Sequence, residues 1–482
     1  MKSGFIDYQF KKASPEEVGI DSTAINEFIR RMSDERLGLQ GYMIYKNGAL
    51  AASDIASPYR FTDKRHVYSI SKSYTSTAVG IAADEGLLKV DDRVLDFFPE
   101  YKGKVCENLE KMKVRHLLSM NTGHDVDTLG RVATTEPGWA ERFLSLDVEH
   151  EPGTHFCYNS TATYMLSAII TQLTGMRMVD YLKPRFFNPL GISDVWWEES
   201  PDHVSDGGWG IHVAPEDMLK LGVLYLNRGM FNGRQILSEN WVDDALAYHS
   251  DNSRNGDPDW KVGYGYQFWR CRHNSFRGDG AFGQYIVMSP EKSAVTVIIT
   301  EGSALQRVLD IYWETIFASM SDRPLEAGSG EISKLEPFCE LPNGDVQKIE
   351  AMDYRLGKNE FGINRITLST SGDELLLRCH GENKFAGENE RAIEIVCGKG
   401  RWEYNKVENC PIIPTTFVSQ LASGIKAEIA ASWAYRDNRL IIELQFVSTP
   451  HGLELVIDSE AHKLTVYRSL QRGKSGTEIE LF

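Results

Sequence analysis

The sequence contains no apolar run near the roughly 20 residues that span a bilayer. Its opening residues, Met1-Lys2-Ser3-Gly4-Phe5-Ile6-Asp7-Tyr8, lack the apolar stretch of a secretory leader. A cytoplasmic protein is the expectation, with an extracytoplasmic one open if a leader was removed. Excess positive charge is also missing: 52 Lys and Arg face 68 Asp and Glu, a net charge of −16. Nucleic acid and anionic membranes are held by cationic faces, so neither is expected as the main partner. Cysteine is sparse, at seven residues with no CxxC pair, and an odd count excludes complete internal pairing. Reduced, buried thiols are expected. No HExxH or similar spacing marks a metal site. His124 and Asp125 are read as capping and loop groups, and neither a metal nor a cofactor is expected.

What is present is a soluble, globular composition, 42% hydrophobic and 25% charged. At roughly 150 residues per domain, 482 residues predict two or three domains. Asp21 is placed to cap a helix carrying Ile25, Phe28 and Ile29 on one face. Residues 41–45 and 50–53 flank Lys46-Asn47-Gly48, a hairpin signal. Helical patterns fill the middle of the chain. Strand patterns return at Tyr285 to Met288 and Val295 to Thr300, before a helix from Leu305 to Phe317. Strands at both ends of this part predict an α+β domain: one sheet built from both termini, flanked by helices, with a helical insertion. Residues 323–334, with Pro, Gly and Ser, read as a linker, so the domain covers 1–322. Beyond it, 335–482 carries short alternating runs at 365–369, 374–379, 391–396, 427–435, 439–446, 453–457 and 463–467. These predict an antiparallel all-β barrel or sandwich. His380, His451 and His462 are scattered there and read as surface or packing residues.

Three copies of Ser-x-x-Lys occur. Ser289-Pro290-Glu291-Lys292 lies between strand-like runs and reads as a turn. Ser423-Gly424-Ile425-Lys426 precedes a strand. Only Ser69-Ile70-Ser71-Lys72 opens a long helix, with Ile70, Tyr74, Ala78, Ile81 and Ala82 at helical spacing and Gly86 as C-cap. Residues three apart share a helix face, so Ser69 and Lys72 can meet at one point. A serine hydroxyl needs a neighbour that takes its proton. Burial and the positive helix end push a lysine toward the neutral amine that can do so. A serine N-cap on a core helix is the bland alternative.

Four stretches together resemble the serine β-lactamase-related hydrolases, the class C β-lactamase, penicillin-binding-protein and esterase group. They are Tyr68-Ser-Ile-Ser-Lys-Ser, Arg115-His-Leu-Leu-Ser-Met-Asn-Thr-Gly, Pro152-Gly-Thr-His-Phe-Cys-Tyr and Gly280-Ala-Phe-Gly-Gln, in family order within about residues 10 to 320. The resemblance implies a β-lactamase/transpeptidase-like fold and a small ester, amide or peptide-like substrate. Ser69 matches the nucleophile, Lys72 its base and Tyr158 the tyrosine that relays a proton to the leaving group. Backbone N–H groups of Ser69 and Ala281 match the oxyanion hole. Ser160 and Gly278-Asp279-Gly280 match substrate-binding positions.

Two departures shape the expected activity. The second motif, usually Tyr-x-Asn, is Tyr158-Asn159-Ser160, with a hydroxyl for the carboxamide. The third has Gly278 where penicillin-specific members keep Lys or His. Losing that charge-assisted bond to a substrate carboxylate costs roughly 1.5–3 kcal/mol. Arg277 or His273 could substitute, although a strand neighbour points to the opposite face. The expectation is an acyl-enzyme esterase or amidase with weak β-lactamase or D-aminopeptidase activity. The alternatives are a β-lactam hydrolase proper, a penicillin-binding sensor that acylates without turnover, and a β domain that binds ligand or covers the site.

Overall fold

Asn47 (φ 49°) and Gly48 (φ 88°) adopt the left-handed backbone that a two-residue hairpin demands. They join β1 (Leu39–Lys46) to β2 (Ala49–Ile55). The computed structural model describes residues 8–326, 330–344, 350–381, 391–408, 410, 426–469 and 476–482. The first seven residues and Ser423 to Ile425 of the third Ser-x-x-Lys copy therefore lie outside the described residues. The hairpin joins β3 (Trp269–Arg270), β4 (Phe276–Gly280), β5 (Gln284–Ser289) and β6 (Ala294–Thr300). They form one six-stranded antiparallel sheet in the order β2-β1-β6-β5-β4-β3.

Helix α1 (Ser22–Asp34) starts where Asp21 accepts the Thr23 N–H. Its Ile25, Phe28, Ile29 and Met32 are buried at the i, i+3, i+4, i+7 spacing. Burying such a side chain contributes roughly 1.5–3 kcal/mol. The insertion between β2 and β3 holds α2 (Ser71–Asp84), α3 (Ser160–Thr174) and α4 (Pro215–Leu226). After the sheet comes α5 (Leu305–Tyr312). α1 and α5 pack on the sheet face of Tyr42, Ile44, Tyr285 and Val287. On the other face, Gly222 of α4 meets Val295 and Ile286, and Ser73 of α2 meets Gly278.

The chain divides into two compact units, Met1–Ile55 with His66–Leu335, and Ala56–Arg65 with Glu336–Phe482. The second therefore takes up a short early segment as well as the C-terminal residues. Within it Tyr59 donates to Gln445 Oε1 and the Pro450 carbonyl, Arg60 pairs with Glu428, and Tyr404 donates to the Pro58 carbonyl. The stretch expected as a linker is tied into the first unit where it is described. The Leu325 amide bonds the Glu16 carbonyl and the Ser333 amide bonds Asn26.

The second unit is one ten-stranded sheet. Its strands are β7 (Met352–Arg355), β8 (Ile363–Ser371), β9 (Glu374–Gly381), β10 (Arg391–Lys399), β11 (Glu403–Glu408), β12 (Lys426–Arg436), β13 (Arg439–Phe446), β14 (Gly452–Asp458), β15 (Lys463–Arg468) and β16 (Thr477–Glu480). A bridge between Leu356 and Leu481 joins its two edges, so the sheet curls on itself around Leu377, Ile395, Ile429 and Leu444. No helix among the described residues is long and apolar enough to cross a membrane.

Candidate active site

Tyr68 opens the site with φ of 50°. A bulky residue in that region costs roughly 1–3 kcal/mol and persists only when its surroundings hold it. Here the buried ring is held between His66 and Phe282, with centroids at 4.2 and 5.2 Å. Ser69 follows in a short 3-10 turn, Tyr68–Ile70, that runs into α2. The α-helix thus starts two residues later than the spacing predicts, and Ser69 does not cap it. Its hydroxyl stays partly open to solvent.

Lys72, one turn on, is 1% exposed. Its Nζ donates to Ser69 Oγ at 3.0 Å, Ser160 Oγ at 3.3 Å and the Gly208 carbonyl at 2.7 Å. None of these partners is charged, so no carboxylate is in hydrogen-bond contact with the ammonium. Burial pulls the amine down to about 7, against a smaller opposing effect of Asp127 and Asp279. Gly208 reaches the amine because it has no side chain: a Cβ there would lie 2.5 Å from the Ser160 carbonyl.

Asn159 caps α3 by accepting the Thr161 N–H, and Asp127 accepts the Ser160 N–H at 3.2 Å. The helix start therefore sets both Ser160 and the preceding Tyr158. Tyr158 stacks on Trp269 at 5.3 Å, and Lys72 Nζ lies 4.7 Å from its ring centroid. Burial drives its phenol well above the usual range, only partly offset by a hydrogen bond with Ser69. At neutral pH it is a phenol, a donor.

Strand β4 closes the site. A Cβ on Gly280 would lie 2.3 Å from the Val67 carbonyl, so the strand end leading to Ala281 sits against the turn of Ser69. A Cβ on Gly278 would meet Ser73 Oγ at 3.2 Å, so that position faces α2. Arg277 and Asp279 share the opposite side. Arg277 Nε donates to Asp279 Oδ2 at 2.7 Å, and its Nη1 to the Asp259 carbonyl and Cys271 Sγ. Arg277 is thus committed, and His273 stacks on Phe317. Neither is placed as the substituting cation. Gly280→Ala forces the Val67 backbone to move. Its expected outcome is a fall in kcat of at least about tenfold with roughly 1–3 kcal/mol lost stability. Turnover and melting measured on the variant check this, and wild-type values of both would contradict the packing.

The structure brings together Ser69, Lys72 and Ser160 directly, with Tyr158 beside them and the β4 end against their turn. At the second Ser-x-x-Lys copy, Ser289 bonds Ser275 while Lys292 donates to the Met320 carbonyl. His124 is buried, bonded to Thr122 and pushed down to about 4 by that burial. Sequence reading missed the Gly208 carbonyl, the Asp127 anchor and the Arg277–Asp279 pair. Gly207-Gly208-Trp209-Gly210 reads only as a flexible segment, although glycines there also permit the close backbone approach that the Gly208 carbonyl makes.

A family model described as Beta-lactamase matches residues 26–316. The 6-aminohexanoate-dimer hydrolase of Paenarthrobacter ureafaciens is 24% identical over 281 residues, 53% of this chain and 71% of that protein. The octameric penicillin-binding protein homologue of Pyrococcus abyssi superposes with a TM-score of 0.50 at 15% identity, over 90% of this chain and 98% of its own. A family VIII carboxylesterase does so with a TM-score of 0.51 at 15% identity, over 65% of this chain and 100% of its own. The two structures share the fold. With the family match running through most of the first unit, the chain belongs to the Beta-lactamase family, the serine β-lactamase and transpeptidase-like group.

Proposed function

We propose that this protein is a serine hydrolase that opens small esters or amides through an acyl-enzyme on Ser69. One observation carries the reading: the hydroxyl of a partly exposed serine lies 3.0 Å from a buried lysine amine brought down to about 7 by that burial. Neutral Lys72 takes the Ser69 proton as Oγ attacks the substrate carbonyl. The amides of Ser69 and Ala281 stabilise the oxygen charge that appears only in the tetrahedral intermediate. Tyr158, held as a phenol, donates a proton to the departing alkoxide or amine, and Lys72 restores it. Water then releases the acyl group by the reverse sequence. Ser160 stands where the family carries a carboxamide and gives Lys72 its third partner.

Substrate preference follows from charge. Gly278 offers no cation, Arg277 is tied to Asp279, and Asp279 itself is an acid. A substrate carboxylate gains no charge-assisted bond here, which favours uncharged esters and amides over β-lactams and D-Ala-D-Ala ends. Steady-state assays on p-nitrophenyl butyrate and nitrocefin test it. Faster turnover of the ester is expected. Faster nitrocefin turnover would overturn the substrate reading, and a burst with no steady state on either would replace the hydrolase with an acylated sensor.

A further inference from the structure

Away from Ser69, two segments of the first unit are laced together by backbone bonds. The His150 amide donates to the Gly123 carbonyl, that of Gly153 to Asn121, and that of Cys157 to Met120. The lacing brings Asp125, His150 and His155 to one spot on the surface. One ligand-capable atom from each lies within 4.8 Å of the other two. His150 Nε2 is 2.5 Å and His155 Nε2 3.9 Å from the same oxygen, Asp125 Oδ1. The two imidazoles stack at 4.3 Å with planes 26° apart, so both present Nε2 to one carboxylate. The Asp125 amide is itself held by Glu149 Oε2.

We propose that Asp125, His150 and His155 form a binding site for a divalent transition metal of the zinc class. Two imidazoles and a carboxylate are the donor set such ions take, and three protein ligands leave the remaining positions to water. At ligand distances of about 2.0–2.2 Å, donors on a tetrahedral ion sit roughly 3.3–3.5 Å apart. Small rotations of these partly exposed side chains bring the cluster to that spacing. The ion acts as a clamp. It pins the segment running to Asp127 against the segment running to Tyr158 and Ser160, and it touches neither substrate nor Ser69. The site does not depend on the acyl-enzyme reading. It escapes sequence inspection because the histidines straddle the Pro152-Gly153 turn and Asp125 lies 25 residues before His150.

The test uses the full chain after chelator treatment. Calorimetric titration with Zn²⁺ is expected to show one site of micromolar affinity or tighter, weakened at least about tenfold by His150→Ala, His155→Ala or Asp125→Asn. Co²⁺ at the same site is expected to give d–d bands without a thiolate charge-transfer band, which sets it apart from binding to the cysteines. Zn²⁺ is expected to raise the melting temperature of the wild type and not of the His150→Ala/His155→Ala double variant. The variants change partly exposed side chains, and their metal-free melting temperatures check the fold. Millimolar binding, affinity unchanged in the double variant, or a thiolate band would each overturn the proposal.

Discussion

Ser69→Ala is expected to lower kcat for p-nitrophenyl butyrate by roughly 10⁴-fold or more, the scale of loss when a serine nucleophile is removed from its catalytic unit. The residual rate is what the oxyanion donors and binding supply to direct attack by water. The substitution removes one oxygen from a partly exposed turn, and Lys72 keeps its bonds to Ser160 and Gly208. The melting temperature is therefore expected to fall by no more than a few degrees, the effect of losing about 1 kcal/mol of hydrogen bonding to Lys72 and Tyr158. Steady-state kinetics beside a thermal melt check both halves. A variant that keeps a tenth of wild-type kcat would remove Ser69 from the chemistry.

The second large effect belongs to Lys72. Its amine is lowered from 10.5 to about 7 by burial, so the ammonium dominates below that pH and the neutral base above it. The wild-type kcat/KM is expected to climb about tenfold per pH unit below this value and flatten above it. Lys72→Ala is expected to cost about 10²- to 10⁴-fold and to erase that limb of the profile. A surviving limb centred near 7 would assign the titration to another group. Stability runs in the complementary sense. Between about 7 and 10.5 the unfolded lysine binds a proton that the folded one does not, so stability rises with pH across that window. Below it the full cost of a buried cation is present. Lys72→Met, which keeps bulk and removes charge, is therefore expected to melt higher than the wild type at neutral pH while losing activity. A lower melting temperature would contradict the burial argument.

Much of the first unit was legible because its signals are local. Asn47-Gly48 specifies a turn, Asp21 specifies a helix start, and Ser69 and Lys72 fall on one face whatever surrounds them. The strands of the second unit show through alternation, although alternation does not say that their sheet curls on itself and joins edges at Leu356 and Leu481. What escaped depends on partners far along the chain. The stretch with Pro58 and Tyr59 reads as a variable piece, yet Tyr59 is held by Gln445, 386 residues away. The late linker looks flexible by composition, but Asn26 and Glu16 tie it down. Arg277 looks available until Asp279 and the Asp259 carbonyl are placed around it. Ser69 sits in a 3-10 turn behind a left-handed Tyr68 whose ring packs on His66 and Phe282, contacts that helix propensity does not see.

The central claim is that an uncharged amine one helical turn away makes the residue 69 hydroxyl reactive. Intact mass after incubation with a fluorophosphonate, followed by peptide mapping of the adduct, tests it most directly. One adduct per chain is expected, on the peptide that carries Ser69, forming faster as pH rises through about 7 and slowed sharply in Lys72→Ala. An unlabelled chain, a label on another serine, or a labelling rate indifferent to Lys72 would contradict it.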